Sequence, residues 1–137
     1  MTPRRVLAAT AALAVSAALL SGCAVFDNLR GLTIAAVVNA EQGGRSSSSN
    51  PIETTDTVCG DDLDCVEAFT TDQADYVRFE SRAAAQEYGD TLADGFVVDY
   101  IVMDFAGKSD AAKREQKWAM EVLAGTWQSY DGSVPER

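Results

Sequence analysis

Three cysteines, twenty-one carboxylates and no histidine bound the chemistry open to this 137-residue chain. Without imidazole there is no Ser-His-Asp or Cys-His nucleophile, and no His-ligated zinc centre. Asp56, Asp61, Asp62, Asp64 and Glu67 are clustered oxygen donors of the kind Ca²⁺ takes. They lack the glycine and terminal glutamate of an EF-hand loop, so a solvated acidic loop is the simpler reading. Lys108 and Ser109 are adjacent, but sequence neighbours rarely face each other as a base and a nucleophile. Ser109 is better placed to cap a helix. Asp99 and Asp104 are five apart in an apolar run. On one regular strand they point to opposite faces and form no carboxylate pair. No glycine-rich phosphate loop and no metal-ligand spacing is present. No catalytic residue, cofactor or metal is therefore expected.

Charge narrows the partners. The chain carries 11 basic and 21 acidic side chains, a formal net charge of −10. A nucleic-acid binder needs a basic stripe to neutralise phosphates, and none is present. Lys113, Arg114 and Lys117 form the one local basic cluster, at spacings that place them on the outer face of a helix. They are the candidate partner-binding residues, and the alternative is an ordinary solvated helix face.

The N-terminal residues read as an export signal. Arg4 and Arg5 precede a 15-residue run of Ala, Val and Leu over 6–20, broken only by Thr10 and Ser16. A membrane-spanning helix needs about 20 apolar residues. The run instead fits the ~7–15-residue apolar region of a secretory signal. It ends in Leu20-Ser21-Gly22-Cys23.

That tetrapeptide resembles the lipobox of bacterial lipoproteins: a branched aliphatic residue, two small residues, then cysteine. The resemblance covers the first twenty-three residues only. It implies that Cys23 receives a diacylglyceryl group through its sulfur and becomes the first residue of the mature chain. Each buried CH₂ contributes ~0.8 kcal/mol and one acyl chain is marginal, so two chains give a stable anchor. Arg4-Arg5 matches a twin-arginine signal only in part, which favours the general secretory route. Loss of residues 1–22 leaves 9 basic and 21 acidic residues, a net charge of −12 over 115 residues. Anionic headgroups repel such a chain, so lipid rather than charge must hold it at the membrane.

With Cys23 assigned to lipid, Cys59 and Cys65 remain as an even pair in an exported chain, which predicts a disulfide. Its 7-residue loop is worth about 2.4 kcal/mol in the chain-entropy model. Residues 23–57 read as a lipidated stalk and linker, with a helix over 24–40 or a short strand over 32–38 as the alternatives. The low-complexity run Gly43-Gly44-Arg45-Ser46-Ser47-Ser48-Ser49-Asn50-Pro51 is its flexible part. A flexible 17-residue piece over 41–57 spans ~23 Å root-mean-square, enough for the domain to swing clear of the lipid.

The core lies in 58–130. Strands are predicted at 65–69 and 75–80, pairing as a hairpin. A helix follows, capped by Ser81 and reaching about Ala93, with Ala84, Ala85, Tyr88 and Leu92 as its apolar stripe. Residues 96–105 read as one central strand, apolar on both faces. Ser109-Asp110 opens a second helix with Trp118, Ala119, Val122 and Leu123 buried, ended by Gly125. A short edge strand over 126–130 and a frayed tail over 131–137 complete the chain. The expected fold is α+β, order β-β-α-β-α. A three- to four-stranded sheet carries both helices on one face. If the strands flanking the first helix are parallel neighbours, their crossover is right-handed.

These readings converge on a lipid-anchored extracytoplasmic protein on the membrane, facing the periplasm or the cell surface. Its expected role is non-catalytic, binding a protein or cell-wall partner or assisting an envelope assembly. The alternatives are a small hydrolase of envelope material, which needs a cleft with convergent carboxylates, or a carrier of a small ligand or Ca²⁺.

Overall fold

A computed structural model describes residues 29–42, 45–127 and 130–137, with side chains given except at 41, 42, 45, 46 and 111. The expected export signal over 1–22, Cys23, residues 24–28, Gly43-Gly44 and residues 128–129 lie outside the described residues.

The fold is α+β, and its sheet is larger than expected. Short helix α1 (Ile34–Val38) comes first. A two-stranded ladder follows, β1 (Glu41–Gln42) with β2 (Arg45–Ser46). The main sheet holds β3 (Ile52–Glu53), β4 (Glu67–Thr70), β5 (Asp75–Arg78), β6 (Gly95–Val98) and β7 (Ile101–Asp104). Its spatial order is β3-β4-β5-β7-β6, antiparallel throughout. Helix α2 (Thr55–Val58) links β3 to the disulfide loop. Helix α3 (Arg82–Asp90) lies between β5 and β6, and α4 (Lys113–Thr126) follows a 3₁₀ turn at Asp110–Ala112.

Strand alternation builds two cores, one on each side of the sheet. Phe69, Tyr76, Met103 and Phe96 are cross-strand neighbours on one face. With Val98 and Ile101 they pack under α1 and α4, against Ile34, Val37, Val38, Ala119, Met120, Leu123 and Trp127. Ala68, Val77, Val102 and Val97 form the row on the other face. There Val77 and Val102 pack with Phe79, Ala85, Tyr88, Leu92 and the disulfide-linked Cys65. The two long helices therefore cover opposite faces, which corrects the one-sided arrangement. Both faces of the central strands are apolar, so each needs a cover.

The expected β4–β5 hairpin forms, with Glu67 opposite Arg78 and Thr70 opposite Asp75. Ser81 caps α3 as expected, its Oγ accepting from the Ala84 N–H at 3.1 Å. The single strand over 96–105 is a hairpin instead. Val98 and Ile101 close a two-residue loop at Asp99-Tyr100, and Asp99 takes a positive φ of 52°. Aspartate tolerates this left-handed region better than most residues. The loop shifts the alternation, so Phe96, Val98, Ile101 and Met103 all face one core. β5 and β6 run in the same direction, but β7 lies between them, so no parallel pair forms.

The segment expected as stalk and linker belongs to the fold. Ile34 and Val38 are 0% and 1% exposed, and β3 pairs with β4. The Ile34 and Ala35 N–H groups donate to the Glu67 carboxylate at 2.7 and 3.0 Å. A carboxylate at a helix N-terminus satisfies orphan donors and suits the dipole. The tail expected to fray over 131–137 also docks, with Val134 against the core and Arg137 in a network described below. Helix α4 runs through Gly125 to Thr126, and its N-cap is Ala112, so Ser109 starts the preceding turn instead.

Candidate functional site

Cys23, the expected lipid acceptor, lies outside the described residues. Cys59 and Cys65 are disulfide-bonded, with Cα atoms 5.0 Å apart. Inside the loop the Gly60 N–H donates to the Leu63 carbonyl at 2.9 Å, and Leu63 packs under α3. The bridge thus pins an exposed acidic turn to the second core.

The acidic cluster does not assemble as a cation site. Asp56, Asp61, Asp62 and Asp64 are exposed, while the Glu67 carboxylate turns toward α1 and pairs with Arg78 Nε at 3.0 Å. Among the described residues no three Asp, Glu, Cys or His side chains gather to hold a metal ion.

The basic cluster sits on the outer face of α4, opposite the buried Gln116, Ala119, Met120 and Leu123. Lys113 pairs with Asp110 at 3.1 Å. Lys117 Nζ donates to both Glu136 oxygens, at 2.7 and 2.8 Å. That hydrogen bond and the charge of Glu136 raise the Lys117 pKa. Arg114 lies beside both, exposed, on a groove of about 210 Å³ shared with Glu115, Lys117, Trp118 and Glu121. Arg114 is thus the member of the three with no acidic partner among the described residues.

Lys108 and Ser109 form no dyad. The Lys108 ammonium donates to Thr70 Oγ1 (3.0 Å), the Thr71 carbonyl (3.0 Å) and Asp75 Oδ1 (2.7 Å). Thr70 also donates to Asp75. All three ammonium donors are engaged. This cluster answers a local electrostatic demand. Asp75 and Asp104 are directly opposite on β5 and β7, a like-charge pair that is unfavourable alone. Lys108 neutralises it, and Asp104 accepts from the Ala106 N–H at 2.9 Å. Burial, then Asp104 and Asp75, raise the Tyr88 pKa nearby. Asp99 is at the other end of β7, paired with Arg82 at 2.8 Å.

Two polar networks escape sequence reading. In the first, Tyr76 Oη and Ser48 Oγ lie 3.1 Å apart inside the core. Burial pushes the phenol up to about 12, against a smaller lowering by Ser48, so it is no general base near neutrality. In the second, Arg137 donates through Nε to Gln116 Oε1 at 2.9 Å and forks onto Asp94 at 2.8 and 2.6 Å. Its guanidinium lies 4.0 Å from the Phe105 ring centroid. Gln116, 2% exposed, donates onward to the Gln73 carbonyl at 3.0 Å. Such pairings join residues up to 43 apart, and their polar types alone do not mark them.

An open groove of about 430 Å³ lies between α3 and the β6–β7 turn, lined by Arg82, Gln86, Val97, Asp99, Tyr130 and Asp131. It places the Asp99 and Asp131 carboxylates and the Tyr130 phenol beside Arg82. Among the described residues no helix is long and apolar enough to cross a membrane. No family model, no curated protein and no solved structure matches this chain.

Proposed function

We propose that the protein is a lipid-anchored extracytoplasmic binding or envelope-assembly module without catalytic chemistry. The carrying observation is the Cys59–Cys65 disulfide. It uses two of the three thiols and leaves Cys23, at the end of the Leu20-Ser21-Gly22-Cys23 motif, as the one available for lipid. A disulfide also fits an oxidising compartment outside the cytoplasm. Support for a non-catalytic role comes from the polar side chains. Lys108, Glu67, Asp94 and Tyr76 are all held by internal partners.

A protein or cell-wall partner is proposed to meet the exposed surface around Arg114 on α4. The test is detergent phase partitioning of the protein from cells, followed by in-cell crosslinking. Wild type should enter the detergent phase and Cys23→Ser should not. A recurrent crosslinked partner should disappear on Arg114→Glu. Equal partitioning of both forms would remove the anchor, and an unaltered crosslink would remove the Arg114 face.

A further inference from the structure

We propose that the end of the sheet where α1 begins faces the membrane, the domain being leashed to a phospholipid surface too closely to turn over. The proposal rests on lipidation of Cys23 and extends that reading to orientation.

The leash is short because the segment that reads as a linker is folded. Leu29 and Leu32 already pack against the first core. The Leu32 N–H donates to the Leu29 carbonyl at 2.8 Å, which folds this segment into a turn. Six residue steps separate Cys23 from Leu29. Fully extended they reach at most ~22 Å. A domain of this size has a radius of gyration of about 13 Å, so its breadth exceeds the leash. The pliable 17-residue spacer over 41–57 is absorbed into β1, β2, β3 and α2, downstream of the attachment point.

Topology then decides which end is held. Glu67 fixes the start of α1, and Glu67 opens β4. In register with it lie Arg78, Ile101 and Val98, so the Asp99-Tyr100 turn and the start of α3 share that end. Exposed Glu80, Ser81 and Arg82 follow β5 there. The opposite end carries Thr70, Asp75, Asp104 and Gly95 in register, followed by exposed Ala106 and Gly107. Exposed Asp61, Asp62, Asp64 and Glu80 sit on or next to the tethered end, so proximity there comes from the leash and not from adhesion to anionic headgroups.

The experiment uses the lipidated protein in phosphatidylcholine vesicles carrying a headgroup quencher. A fluorescent amino acid is encoded at Glu80 or at Ala106, which adds no thiol. The two ends differ by at least one strand length of ~13 Å, so quenching at Glu80 should exceed that at Ala106 by about twofold or more. Inserting about 20 Gly/Ser residues between Asn28 and Leu29 should abolish the difference, since that spacer adds ~25 Å. Equal quenching at both positions in the wild type, or stronger quenching at Ala106, would overturn the orientation. Failure of the wild type to float with vesicles would overturn the lipid reading beneath it.

Discussion

The guanidinium of Arg137 meets a carboxylate, a buried amide and an aromatic ring at once. Arg137→Ala leaves Gln116 Oε1 without this donor in a buried site, and hydrogen bonds to charged groups are worth about 1.5–3 kcal/mol. Half-exposed Asp94 contributes the smaller part of that. Thermal melts should show a loss of about 1.5–3 kcal/mol. Arg137 also sets a pH response. Its hydrogen bond holds the Asp94 carboxyl below the usual range. That stabilisation is complete above the ordinary aspartate value near 3.9 and is lost as pH falls through the lowered value. Limited proteolysis should therefore release residues 130–137 first on acidification, and Asp94→Asn should remove the pH dependence. Tyr76 acts at the other end of the scale. Its phenol rises from 10.0 to about 12 in the fold. Stability is full below pH 10 and declines as pH rises toward 12, by on the order of 2–3 kcal/mol. Denaturant midpoints measured in alkali should fall for wild type and hold better for Tyr76→Phe.

Helix α3 approaches strand β6 closely at Gly89, where an added Cβ would meet Val97 Cγ2 at 2.2 Å. Alanine gains about 0.8–1.0 kcal/mol over glycine in a helix interior. Overpacking against a stiff β-branched neighbour costs about 1–3 kcal/mol and prevails. Gly89→Ala should lower stability by up to about 2 kcal/mol, measured by denaturant unfolding. The disulfide element has its own test. Replacing Cys59 and Cys65 by Ser should cost about 2 kcal/mol for a 7-residue loop.

These elements also show what a sequence exposes. The α3 start was readable because Ser81 caps it locally. The β4–β5 hairpin was readable because apolar and charged residues alternate. The β6–β7 hairpin was hidden because its loop is Asp99-Tyr100, without the glycine or asparagine that marks such turns. Helix α1 was legible only in part, its helical spacings over 24–40 competing with a strand and a loose stalk. Five residues carry little periodicity, and its N-terminus is held by Glu67, over thirty residues away.

At the scale of the whole molecule, short-range signals carry the proposed address and long-range contacts carry the shape. The Cys59–Cys65 pair was readable because two cysteines remained as an even pair in a chain read as exported. The basic cluster was readable as a surface. Its neutralisation by Asp110 and Glu136 was not, because Glu136 arrives from a tail that looks frayed. Under the proposed lipid anchor, the folded residues 29–42 and 45–57 turn an expected swinging domain into a leashed one. The most direct measurement is the intact mass of the N-terminal peptide of the protein purified from bacterial membranes. The predicted result is a peptide beginning at Cys23 with a diacylglyceryl group on its sulfur. A peptide beginning at Met1, or one in which Cys23 carries a free thiol, would contradict a lipid-anchored module.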